Sequence, residues 1–390
     1  MRGQLNFAAL LFFVATFMLA RPGRAQDQVV LAQNWTIHSQ VLGEDRAISV
    51  HLPEGYDKSS DRYPVLYVLD GEQLLIPISG VTEILSWGYR GPDIIVVAIR
   101  NVHRSKDFTV PLDAPGAETN YRSVGGADKF LQFLQSELIP QVESKYRVAR
   151  YRIIFGHSLA GLMALHAFVA APGLFDATIA SSPPADYNGD YIVNRINTLF
   201  AEGKGNKGSL YLCMAAREYD DSPRAIRKLQ ELLRLRAPQG LHWDSRVIPD
   251  TDHGTSLLFA AQQGLEFAFS DWRLPALVFD EGLDSIEHFY RQQSELYGMN
   301  LLPPEPELDA LGQRLLRAKN SVEAIRVYQR YASLYPDTIE PHHQLSKALK
   351  STGKLDEARQ ELQLAIQLAH KSNDPSEADL QKELDGLGPK

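Results

Sequence analysis

The stretch Tyr151-Arg152-Ile153-Ile154-Phe155-Gly156-His157-Ser158-Leu159-Ala160-Gly161 and the run Leu162-Met163-Ala164-Leu165-His166-Ala167-Phe168-Val169-Ala170 after it decide the fold. The first five residues are β-branched and aromatic, whereas the last nine are long and helix-favouring. A strand therefore turns sharply into a helix, with Ser158 at the turn. Small residues two before and two after the serine let strand and helix cross closely, so the hydroxyl stands exposed on strained backbone. The helix that follows ends in free N–H groups and a positive dipole beside the serine, so the Leu159 amide can help hold an alkoxide as it forms. The plainer alternative is a serine that only caps a buried helix. Gly-x-Ser-x-Ala is a weak signal alone, and the strand-turn-helix context strengthens it.

The 390-residue chain has room for one large α/β domain and a smaller part, and its 44% hydrophobic content marks it as globular. Residues 1–25 differ from the rest. Arg2 opens a short basic region, 8–20 form an apolar run too short to span a bilayer, and Gly23-Arg24-Ala25 offers a cleavage site. We expect a removed signal peptide and a periplasmic or secreted protein, with an uncleaved anchor as the alternative. Loss of Arg2, Arg21 and Arg24 would take the formal charge from −8 to −11, which argues against nucleic acid as a partner. The single cysteine, Cys213, sits in the apolar run Leu210-Tyr211-Leu212-Cys213-Met214 and reads as core.

Strand candidates at 47–52, 64–69, 94–99, 152–155, 177–180, 209–215 and 245–248 alternate with helix patterns, the clearest at 126–146 and 222–236. Such alternation predicts a mostly parallel sheet flanked by helices, with an active site at the carboxyl ends of the strands. The domain is expected over 26–275. A helical, amphipathic linker over 276–304 leads to a 34-residue repeat over 305–372, in which Leu308, Leu311, Gly312, Leu315, Ala324 and Tyr328 recur as His342, Leu345, Ser346, Leu349, Ala358 and Leu362. This is the period and the small-residue pattern of a tetratricopeptide pair. Two repeats bury too little apolar surface by themselves, so they are expected to lean on the larger domain, on a partner protein or on a second copy. Residues 373–390 read as a polar tail.

A serine hydroxyl needs a base, and the base needs an orienting acid. His253 is placed best, in the loop Pro249-Asp250-Thr251-Asp252-His253-Gly254-Thr255-Ser256 after the last strand candidate. His157 adjoins the serine, but its side chain should diverge at the turn. His166 lies inside a packed helix, and His342, His343 and His370 belong to the repeats. For the acid, Glu218, Asp220 and Asp221 compete after the strand at 209–215, and Glu218 is nearest the strand end. Asp250, Asp252 and His253 could be drawn as a metal site, but without further ligands we expect neither a metal nor a cofactor. The second donor for an oxyanion is expected from Leu69-Asp70-Gly71-Glu72-Gln73, where Gly71 would let the backbone approach a ligand and Glu72 would present its amide.

With these residues in hand, the chain resembles the esterase D-like family of α/β-hydrolases, which includes siderophore esterases, feruloyl esterases and mycolyltransferases. The resemblance rests on Leu52-Pro53-Glu54-Gly55-Tyr56, on 63–71, on Arg104-Ser105-Lys106-Asp107-Phe108-Thr109, on Glu137-Leu138-Ile139-Pro140 and on Gly156-His157-Ser158-Leu159. It implies Ser158 as nucleophile, His253 as base, Glu218 as acid, and the amides of Glu72 and Leu159 as the oxyanion hole. The segment 181–187 lacks the tryptophans that siderophore-type relatives often carry, so the resemblance does not by itself point to a siderophore. The expected activity is a serine carboxylesterase acting on a small-molecule ester. The alternatives are acyl transfer from the same acyl-enzyme and a silent adaptor that acts through its repeats.

Overall fold

The computed structural model describes residues 30–112, 123–204, 207–218 and 222–388. The expected signal peptide, together with Asp220 and Asp221, lies outside them. Eight strands form one sheet: β1 (Gln33–Ser39), β2 (Glu44–His51), β3 (Tyr63–Val68), β4 (Ile95–Ile99), β5 (Val148–His157), β6 (Ala177–Ser181), β7 (Gly208–Arg217) and β8 (Leu241–Asp252). Their spatial order is β1-β2-β4-β3-β5-β6-β7-β8. The pairs β1/β2 and β2/β4 are antiparallel and every other pair is parallel. Seven of the eight were legible as candidates. β1 was missed because its exposed positions break the apolar run (burial falls only at Ile37 and Ser39).

The central strands read as unbroken apolar stretches because both faces are covered. Val65 and Tyr67 point into one core and Leu66 and Val68 into the other. Eight helices cover the sheet: α1 (Gly71–Trp87), α2 (Arg104–Asp107), α3 (Ala127–Phe133), α4 (Ile139–Lys145), α5 (Leu159–Ala170), α6 (Tyr187–Ala201), α7 (Ser222–Arg236) and α8 (Ser256–Ala268). A π-helical turn over Leu134–Leu138 joins α3 to α4. Pro140 lies just beyond it, and a proline, having no N–H to donate, favours such an irregular turn. Cys213 is fully buried, as expected, and burial pushes its thiol up to about 12, which leaves it inert.

Seven further helices follow: α9 (Ala276–Glu281), α10 (Leu283–Tyr297), α11 (Glu305–Arg317), α12 (Ser321–Leu334), α13 (Ile339–Ser351), α14 (Leu355–Ser372) and α15 (Glu377–Asp385). The stretch read as a helical linker is largely helical, whereas the stretch read as a polar tail carries a helix whose Leu380 is buried against Leu362, Ala365 and Ala369. The repeat pattern corresponds to the helix pairs α11/α12 and α13/α14. Gly312 lies directly under the ring of Tyr328, where any side chain would collide with it. The repeats lean on α10: Leu308, Leu311, Leu345 and Leu349 share one core with Leu283, Ile286, Phe289 and Tyr290. The same helix places Tyr297 in the core of the sheet, against Tyr151, Phe269 and Trp272. Among the described residues no helix is long and apolar enough to cross a membrane.

Candidate active site

Ser158, Glu218, His253 and Glu72 follow the carboxyl ends of the parallel strands β5, β7, β8 and β3, where the wound topology puts an active site. Ser158 follows β5 with φ 58° and ψ −127°, a strained conformation that an L-residue keeps only when its surroundings enforce it. The enforcement is local. A Cβ on Gly156 would run into the Ala160 carbonyl and stand 2.8 Å from Gly161 N, so the penultimate position of the strand must be glycine. Ala160 itself is fully buried and accommodated, so its replacing the more usual glycine leaves the elbow intact. Ser158 N donates to Ser181 O at 2.8 Å, which ties the turn to the neighbouring strand.

The end of β7 and the loop after β8 bring Glu218 and His253 together. His253 Nδ1 lies 2.7 Å from Glu218 Oε2, and the Glu218 side chain is 3% exposed. Burial alone would raise this carboxyl. The hydrogen bonds from His253, from the Ser182 hydroxyl and from the Ala215 amide outweigh it and hold the carboxyl below its usual range. The Ala215 N–H donates to Oε1 at 2.8 Å, and Ser182 Oγ donates to the same oxygen. Ser182, at φ 46°, is a supporting residue that sequence reasoning passed over. Its only signal was its place directly after the β6 run. Asp252 bonds instead to Thr255, N–H to Oδ1 at 3.0 Å and Oγ1 to Oδ1 at 2.8 Å, which shapes the loop and leaves His253 to Glu218. Among the described residues no group of acidic, histidine or cysteine side chains could hold a metal ion.

The His157 ring lies beside that of the base, with centroids 4.8 Å apart and planes at 48° to the ring of His253. It pairs across the sheet with Ser181, whose Oγ lies 3.0 Å from its Nδ1. Burial, reinforced by the nearby His253, pushes its imidazole down to about 4. His166 is packed inside α5 as expected, with Asp128 at 2.9 Å from Nε2.

The loop after β3 departs from the sequence reading in one respect. Gly71 starts α1, and a Cβ there would stand 2.6 Å from Ile99 N, so this glycine serves the approach of α1 to β4 and not that of a ligand. Asp70 precedes it in left-handed backbone at φ 56°. Its carboxylate accepts from Arg104 Nε at 2.7 Å, from Arg104 Nη2 at 2.8 Å and from Asn101 Nδ2 at 2.6 Å. The bidentate arginine fixes the turn that carries the Glu72 amide. The Glu72 carboxylate accepts from the amide and the side chain of Asn101, and hydrogen bonding outweighs partial burial to keep it below its usual range. Leu159, at the first position of α5, has an amide with no acceptor inside its own helix.

The family model described as putative esterase matches residues 39–231. The ferri-bacillibactin esterase BesA of Bacillus subtilis is 25% identical over 228 residues, 53% of this chain and 78% of that protein. The siderophore enterobactin esterase of Emericella nidulans is 32% identical over 198 residues, 44% of this chain and 62% of that protein. The solved structure of an IroE-like serine hydrolase from Shewanella oneidensis matches with a TM-score of 0.65 at 26% identity, covering 77% of this chain and 100% of that one. Through its sheet, its strained serine turn and the matched segment, this chain belongs to the putative esterase family, as an α/β-hydrolase of the serine-esterase type.

Proposed function

We propose that the chain cleaves a carboxylic ester through an acyl-enzyme on Ser158, with His253 as general base and Glu218 as its orienting acid. The observation that carries this reading is the buried Glu218 carboxylate bonded to His253 Nδ1 at 2.7 Å. Occupying Nδ1 leaves Nε2 as the nitrogen that takes the serine proton. Ser158 Oγ then bonds to the ester carbonyl carbon while its proton passes to His253. The resulting oxyanion is received by the amides of Leu159 and Glu72. Collapse breaks the bond to the alcohol, which leaves with the proton from His253. Water repeats the sequence on the acyl-enzyme, and the acid and free serine are released. No metal or cofactor enters any step.

For substrate, we propose a catecholate siderophore ester, on the strength of the esterase names carried by the relatives above. The export expected from residues 1–25 is part of the same proposal. A fluorophosphonate probe should label the wild-type chain and leave Ser158→Ala unlabelled. Ser158→Ala should cost at least about a thousand-fold in turnover. Comparable hydrolysis by Ser158→Ala would overturn the nucleophile assignment. A panel of aryl, feruloyl and tricatecholate esters ranks the substrate classes, and a kcat/KM for the tricatecholate ester no better than for a simple aryl ester would remove the siderophore proposal.

A further inference from the structure

We propose that His157 is a positioning residue for the base, an uncharged ring against which the His253 imidazole rests; this builds on the assignment of His253 as base. Three observations converge on it. The two rings lie with centroids 4.8 Å apart at 48°, so one face of His253 is covered by an aromatic surface. The His157 ring cannot swing freely, because it is largely buried and its Nδ1 is held 3.0 Å from Ser181 Oγ, on the strand neighbour with which it is in register. Glu218 fixes the opposite constraint, holding His253 by Nδ1 at 2.7 Å. A carboxylate bond alone leaves an imidazole free to pivot about that bond. A rigid ring on its face removes the pivot and keeps Nε2 aimed at the serine.

The charge state of His157 suits this role. The groups facing it are His253 from the loop before α8, Glu218 from the end of β7, and Asp70 and Arg104 from the loops around α1 and α2. Burial keeps the ring neutral above about pH 4, so no second positive charge opposes the imidazolium that forms on His253 during each acyl transfer. A neutral aromatic face also attracts a cation laid against it.

The test separates a ring from a nitrogen. His157→Phe keeps an aromatic face and loses the Ser181 bond, whereas His157→Leu loses the ring. We expect His157→Phe to hold kcat within a few-fold of wild type, and His157→Leu to lose about ten- to a hundred-fold in kcat with KM unchanged. The acid limb of the kcat/KM profile should keep a single ionisation at the same position in His157→Phe. The low-field proton resonance of the His253–Glu218 bond reads positioning without any substrate. It should persist in His157→Phe and broaden in His157→Leu, with both variants checked for cooperative melting. Should His157→Phe prove as inactive as His253→Ala, His157 acts through its nitrogens and the inference is wrong. Equal rates and equal resonances in the Phe and Leu variants also overturn it. Failure of the esterase reading shows separately, as turnover retained by Ser158→Ala.

Discussion

Glu218 accepts hydrogen bonds from a histidine ring, a serine hydroxyl and a backbone amide at a site where its side chain is 3% exposed. Replacing it by glutamine keeps the shape but removes the charge that holds the imidazole tautomer and stabilises the imidazolium. We expect Glu218→Gln to lower kcat by about a hundred-fold or more, and Asp221→Asn by less than three-fold. Steady-state rates on an aryl ester decide it, and the reverse order would move the acid role to Asp221. His157 carries a pH dependence of stability whose sign follows from its direction. An unfolded imidazole takes its proton near 6.5, whereas the folded ring stays neutral down to about 4. The unfolded chain therefore binds more protons in that window, and stability is fully present above 6.5 and falls as pH drops toward 4. The loss on reaching pH 4 is about 3 kcal/mol. Melting temperatures at pH 7 and pH 5 should differ less in His157→Phe than in wild type, and an unchanged difference would refute the assignment.

Among elements, the junction of β5 and α5 is the least forgiving. Gly156 faces the Ala160 carbonyl, a backbone group that cannot be turned aside as a flexible side chain can. Gly156→Ala should therefore reshape the elbow. We expect loss of fluorophosphonate labelling together with a fall in melting temperature of several degrees, while Ala160→Gly, which only adds room, keeps full labelling. Normal labelling of Gly156→Ala would show that the strand–helix crossing relaxes more than its close contacts indicate. The other catalytic loops are held by side chains instead of by crowding. Arg104 clamps Asp70 after β3, and Ser182 clamps Glu218 after β7.

For the whole molecule, α10 is the joint between the sheet domain and the helix pairs. Tyr297 is 1% exposed in the sheet core, while Leu283, Ile286 and Phe289 of the same helix are buried with the repeats. A chain ending after Asn300 keeps Tyr297 but uncovers the other three, each worth about 1.5 to 3 kcal/mol when buried. We expect such a truncated chain to hydrolyse a small aryl ester within a few-fold of the full chain, and to melt several degrees lower or to self-associate. Activity assays and light scattering check both halves. Complete loss of turnover in a folded, monomeric truncation would mean that the helix pairs help build the substrate site.

The alternation of apolar runs, the Gly156–Gly161 turn and the 34-residue period were readable from the sequence because each is a local pattern: a period of two, a period of 3.6, or a steric demand confined to a few neighbouring residues. That is why the wound sheet, the strained serine and the helix pairs were expected, and why His253 and Glu218 could be placed at strand ends. Edge strand β1 and the helix over 377–385 escaped because weak or mixed patterns become elements only when another surface covers them. The supporting contacts were invisible for a different reason. Ser182 on Glu218, Arg104 on Asp70 and the His157 ring on His253 join residues 36, 34 and 96 positions apart, and sequence spacing carries no information about which side chain turns toward which. Sequence determined which groups reach the carboxyl edge of the sheet. Only the packed structure, by fixing the distance and burial between strand ends, decided which of them touch.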